Sequence, residues 1–158
     1  MLTVVNKGVI MISKSTEEYL KTIYVLLKQN GNVRVTDIAN KMNCSKPSVT
    51  KQLNILSKNN FINYESYGSI TLTNQGEIEA KKTLEEDDII YILLNDIMGV
   101  NNETANINAS KIKNVIDKET LEAITRYVNK VLGINRLNCN FDIRNEKCRK
   151  CIMEVKRV

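Results

Sequence analysis

The change of apolar period between residues 35 and 73 restricts this chain's fold more than any other feature. In "VTDIANKMN" (35–43), Ile38, Ala39 and Met42 fall on one face of a short helix with Thr36 as its expected cap. Asn43-Cys44 supplies a turn, and Ser45 caps a second helix, "KPSVTKQLNILSKNN" (46–60). Pro47 stands in its first turn, where a missing amide costs little. Val49, Leu53 and Leu56 recur at intervals of four and three and so face inward. "FINYESYGSITLT" (61–73) then alternates with a period of two around a turn at Ser66-Tyr67-Gly68-Ser69, which predicts a hairpin. Upstream, "STEE" reads as a capping box from Ser15 to Glu18. Behind it, Tyr19, Leu20, Ile23, Tyr24 and Leu27 form a stripe that stops at Asn30-Gly31. Helix, short helix, turn, helix, hairpin is the order of a winged helix-turn-helix.

Downstream the chain reads as all helical. Thr73 caps a helix through Gly99, and residues 101–108 read as a loop or a loosely started helix into "ASKIKNVI". Asp117 caps a last helix whose stripe is Leu121, Ile124, Val128 and Val131, ended by Gly133. The expected architecture is mainly α: a winged helix-turn-helix with a short β-hairpin wing over 15–73 and a helical domain over 74–133. A basic, cysteine-containing tail fills 134–158, and 1–14 is an N-terminal extension. Lys7-Gly8-Val9 can be encoded by a purine-rich run just ahead of Met11, so translation is expected to start at Met11.

Charge is unevenly spread: +5 over residues 1–73, −4 over 74–132 and +4 over 133–158. A basic first unit beside an acidic second one fits a polyanion-binding module, and equally fits ordinary variation along a solvated surface. The chain has no histidine, nucleophile elbow or phosphate-binding glycine loop, which argues against an enzyme. No apolar run is long enough to span a membrane, and no secretory signal opens the chain, so a cytoplasmic, thiol-reducing setting is expected.

The second helix of the pair offers its outer face to double-stranded DNA. Ser45 and Lys46 suit phosphates at its positive end, and Ser48 and Thr50 add hydroxyls. Lys51 and Asn54 suit guanine and adenine edges. No acidic residue lies between Ser45 and Asn60, which favours DNA over a merely solvated face. The competing expectation is a winged-helix adaptor that contacts protein and has no specific operator.

"STEEYLKTIYVL", "VTDIANKMNCSKPSVTKQLNIL" and "SITLTNQGEIEA" resemble blocks of the diphtheria-toxin-repressor family, which includes manganese-transport regulators; the likeness covers roughly residues 15–132. The resemblance implies a homodimeric, metal-dependent repressor with a helical dimerisation domain after the winged one. It places Ser45, Pro47, Ser48, Thr50 and Lys51 where the family contacts DNA. Its metal ligands carry over poorly. Glu18 fits, but Lys21 replaces a glutamate, Asp87 or Asp88 replaces a histidine, and Ser110, Lys113 and Asn114 replace the most diagnostic cluster. Two alternatives follow. Either Lys21 and Lys113 pair with Glu18 and Asp87 or Asp88 in place of the metal, or carboxylates rearrange to hold manganese or iron weakly.

Three cysteines remain: Cys139, Cys148 and Cys151, the last two in a CxxC. They read as an incomplete zinc site, an iron-sulfur site, a redox switch whose thiolates are favoured by nearby Arg and Lys, or incidental thiols in a basic tail. Cys44 reads as a small core residue.

Overall fold

The computed structural model describes residues 12–65 and 68–133. The element order is α1 (Lys14–Asn30), α2 (Val35–Met42), α3 (Lys46–Lys58), β1 (Ile62–Tyr64), β2 (Ile70–Leu72), α4 (Asn74–Ile92), α5 (Asn102–Val115) and α6 (Lys118–Leu132). α4 runs on into a wider π-helical turn, Leu93–Ile97. The fold is therefore a winged helix-turn-helix followed by an all-α unit. The start-site expectation at Met11, the Ser66-Tyr67 half of the hairpin turn and the cysteine tail lie outside the described residues.

The helix ends follow local chemistry, with two corrections. α1 is capped by Ser13, whose Oγ accepts from the Thr16 amide at 3.2 Å, and Ser15 sits inside the first turn. Ser13 wins because its hydroxyl also meets Thr16 Oγ1 at 2.8 Å, and Thr16 is buried. α2 is capped at Arg34 rather than Thr36: Asp37 Oδ2 accepts from the Arg34 amide at 2.8 Å, which satisfies the end without a short hydroxyl cap. The Asn-rich stretch is ordered helix. Asn101 Oδ1 accepts from the amides of Glu103 and Thr104, so α5 begins at Asn102. Ser45, Thr73 and Asp117 cap α3, α4 and α6 as their sequence positions indicate.

The described residues form two apolar cores. In the first, Leu20 and Ile23 of α1, Ile38 of α2 and Val49, Leu53 and Leu56 of α3 pack with Phe61, Ile62 and Ile70 around the hairpin. Ala80 and Leu84 of α4 join the same core. The second gathers Ile89 to Ile92, Ala105, Ala109, Val128 and Leu132. Within α6 the stripe is only partly inward: Val128 and Leu132 are buried, whereas Val131 is 47% exposed. The strands pair antiparallel, Ile62 with Leu72 and Tyr64 with Ile70.

The wing and α4 are fused at one point. The Thr73 amide donates to the Phe61 carbonyl at 3.0 Å and Thr73 Oγ1 donates to the Asn60 carbonyl at 2.7 Å. Gly76 then lies so close that a Cβ there would stand 1.9 Å from the Phe61 carbonyl oxygen. Only glycine fits.

Candidate nucleic-acid interface and interdomain ion cluster

α3 is fixed from below and free above. Val49, Leu53 and Leu56 have no measurable exposure, so the opposite face is held rigidly outward. That face presents Ser45, Lys46, Pro47, Ser48, Lys51 and Asn54, all exposed, with Thr50 half-buried at its edge. Ser45 Oγ accepts the Ser48 amide at 3.3 Å, which closes the first turn over Pro47. Asn43 enters the turn with a positive φ of 51°, a conformation asparagine tolerates. Cys44 is half-buried against the first core, with its sulfur 3.5 Å from Tyr19 Oη, in keeping with a core role.

A concavity of about 790 Å³ lies beside this face. Arg34 and Thr36 from the start of α2, Lys46 and Thr50 from α3, and Tyr64 and Ser69 from the wing line it. Arg34 is exposed and extends the cationic surface around Lys46. Sequence reasoning missed it, although an arginine just ahead of a helix in the basic half was an available signal.

A second cluster joins the two units. The spacing 14, 17, 18 and 21 puts Lys14, Glu17, Glu18 and Lys21 on one side of α1. Asp87 comes from α4, and Ser110 and Lys113 come one turn apart from α5. Lys21 Nζ lies 2.6 Å from Glu18 Oε2 and 2.7 Å from Asp87 Oδ2. Lys113 Nζ lies 3.1 Å from Glu18 Oε1 and 3.6 Å from Asp87 Oδ1. The four groups make a ring of alternating charge in which each carboxylate gives one oxygen to each lysine. Glu17 stands 4.0 Å from Lys113, and Ser110 Oγ is within 3.5 Å of both Lys21 and Asp87. Of the two candidate aspartates, Asp87 is the one that meets Lys21; Asp88 is half-buried beside it.

Lys14, not singled out from sequence, makes a third tie. Its Nζ donates to the carbonyls of Lys113, Asn114 and Ile116 at 3.3, 2.5 and 3.1 Å, satisfying the C-terminal end of α5. The Asn114 side-chain oxygen is buried without a hydrogen-bond partner among the described residues.

The ring's electrostatics favour its charged form. Burial raises the Glu18 carboxyl, but the Lys21 hydrogen bond and the charges of Lys21 and Lys113 outweigh it, leaving Glu18 below the usual carboxylate range. Burial lowers the Lys21 ammonium, and Asp87 and Glu18 reverse that, leaving it above the usual lysine range. Glu86, just before Asp87 on α4, is held above its usual range, first by burial.

These residues do not fit a divalent metal ion. An ammonium nitrogen has no lone pair and repels a cation, and here two of them already occupy the oxygens that a metal would need. Among the described residues no group of three or more His, Cys, Asp or Glu is arranged to hold one. Cys139, Cys148 and Cys151 lie outside the described residues. No helix among the described residues is long and apolar enough to cross a membrane.

Two family descriptions match consecutive parts of the chain: "Iron dependent repressor, N-terminal DNA binding domain" over residues 11–70 and "Iron dependent repressor, metal binding and dimerisation domain" over 73–132. An HTH-type transcriptional regulator of Methanocaldococcus jannaschii is 34% identical over 120 residues, which cover 75% of this chain and 96% of that protein. The HTH-type transcriptional regulator MntR of Bacillus subtilis is 33% identical over 93 residues, 59% of this chain and 65% of MntR. The crystal structure of IdeR from T. acidophilum superposes with a TM-score of 0.64 at 26% identity, covering 76% of this chain and 55% of that one. The chain thus spans nearly all of the archaeal relative but only about half of the solved IdeR. The two matched domains in order, on a winged helix-turn-helix fold followed by a helical unit, show that this chain belongs to the iron-dependent repressor family, whose members are transcriptional regulators and not enzymes.

Proposed function

We propose that the chain is a sequence-specific transcriptional regulator, acting as a repressor, that binds double-stranded operator DNA as a homodimer. The observation that carries this reading is the outer face of α3, where hydroxyl, amide and lysine groups stand exposed on a rigid, buried stripe with no carboxylate among them. Ser45 and Lys46 hold phosphates, with the Ser48 and Thr50 hydroxyls beside them; Lys51 and Asn54 read base edges; Pro47 stiffens the entry. Arg34 adds a phosphate contact from α2. Support for the homodimer comes from α6, which leaves Tyr127 and Val131 52% and 47% exposed one turn apart.

The family's metal position is degenerate in this reading, so an effector signal enters elsewhere. The tail thiols Cys139, Cys148 and Cys151 are the candidates, as a zinc or iron-sulfur site. Metal and sulfide analysis of protein purified without oxygen tests that part. The DNA reading is tested by titrating the chain with its own promoter fragment and with a shuffled fragment at several salt concentrations. Specific binding is expected to exceed non-specific binding by about 1,000-fold or more. Equal affinity for both fragments would instead favour the adaptor role.

A further inference from the structure

We infer that Lys21 and Lys113 do the work of a bound divalent cation in this chain: their ammonium groups tie the first helix to the second unit, so the recognition helix is presented without any added metal. The inference rests on the DNA-binding reading and adds to it how the binding-competent arrangement is held.

Charge supports it first. Two ammonium groups carry the same total charge as one divalent ion, and both lie between the same two carboxylates. Geometry supports it next. Glu18 belongs to α1, Asp87 to α4 and Lys113 to α5, so the ring spans the winged unit and the helical unit just as a bridging ion would. A hard cation sits about 2.0–2.6 Å from its oxygens. Lys21 Nζ already stands 2.6 and 2.7 Å from two of those oxygens, so an incoming ion meets both a filled position and like charge. The Lys113 side chain is only 2% exposed, which removes it from the class of screened surface pairs. Finally, the Lys14 tie to the carbonyls at the end of α5 runs beside the ring and joins two of its three helices, α1 and α5, with no carboxylate at all.

The test uses the full chain, manganese(II) chloride and a chelator. Manganese(II) is a hard ion with little preference for thiolates, so the tail cysteines do not compete for it strongly. For the wild-type chain, isothermal titration should detect no manganese binding, the melting temperature should move by no more than about 1 °C, and promoter affinity should agree within about twofold in manganese and in chelator. The variant Lys21→Gln/Lys113→Gln keeps Glu17, Glu18 and Asp87 and removes both internal cations. It should bind the promoter at least about tenfold more weakly in chelator, with manganese restoring affinity and raising its melting temperature by about 5 °C. If that variant is unfolded in chelator and folds on adding manganese, the same conclusion holds.

Micromolar manganese binding to the wild-type chain at one site per subunit, or promoter binding that requires manganese, overturns the inference whatever the variant does. So does a folded variant with unchanged promoter affinity in chelator. A wild-type chain that prefers no DNA sequence in either condition refutes the DNA reading instead, while titration and melting still decide the cation question.

Discussion

Replacing Lys113 with methionine removes one positive corner of the ring and little else. Methionine retains most of the apolar stem, so the cavity left behind is small. Lys113 is 4% exposed, and its Nζ faces Glu18 at 3.1 Å, Asp87 at 3.6 Å and Glu17 at 4.0 Å. Breaking a buried ion pair by removing one partner costs about 3–5 kcal/mol, because the other charge is left uncompensated. Two features reduce that figure. Lys21 still contacts both ring carboxylates, and the Glu18 and Asp87 side chains retain 23% and 17% exposure to water. The expected loss is about 2 kcal/mol, or about 30-fold in the unfolding equilibrium. In urea at neutral pH the midpoint should fall by about 1 M with an unchanged slope. Adding Glu18→Gln closes a double-mutant cycle, and the pair should couple by about 1 kcal/mol or more. An undiminished midpoint for Lys113→Met, or strict additivity with Glu18→Gln, would refute the claim that these charges hold one another in place.

Three further outcomes follow from the geometry. Lys46→Ala should weaken binding to all DNA and lower the salt slope by about one, whereas Lys51→Ala should cost about 1–3 kcal/mol mainly on the preferred promoter; fluorescence anisotropy across salt concentrations separates the two. Gly76→Ala should abolish folding or cost more than about 3 kcal/mol, read by circular dichroism and urea unfolding, since its methyl would fall on the Phe61 carbonyl. Stability should also bracket the ring's charged state. Glu18 is depressed below its unfolded pKa, so its contribution is present above about pH 4.3 and disappears as pH falls through the lower folded value. Lys21 is raised, so its contribution is complete below about pH 10.4 and disappears as pH rises through the higher folded value. The urea midpoint of wild type minus that of Lys21→Gln should therefore be flat between about pH 5 and pH 10 and shrink on both sides.

Local signals carried much of this fold. Ser45, Pro47 and the 49/53/56 stripe lie within about three turns of one helix, so propensity, cap and burial agree there without distant help. The caps of α1 and α2 were harder to read because each true cap stands two residues ahead of the hydroxyl residue that the sequence offers first. The choice of Ser13 depends on Thr16 being buried, and the choice of Arg34 depends on Asp37 turning back to its amide. The interdomain ties were the least legible. The pairing of Lys21 and Lys113 with carboxylates came from a resemblance in which their positions hold ligands. Lys14 gave no such hint, for a lysine in the first turn of a helix opposes the dipole and looks like a solvated surface residue. Its partners are carbonyls about a hundred residues away, which no periodicity in α1 can encode.

α4 fixes how the two units are set against each other. Its first turn rests on the Phe61 carbonyl and its Ala80 and Leu84 belong to the winged core, while Ile89 to Ile92 belong to the other. One unbroken 19-residue helix thus joins the winged core at one end to the second core at the other. Each residue of such a helix advances about 1.5 Å and turns about 100°. A single residue inserted between Leu84 and Ile89 would swing the entire winged unit by more than a quarter turn, a change that side chains cannot absorb. In the homodimer proposed above, the distance and rotation between the two winged units would therefore be counted in α4 residues.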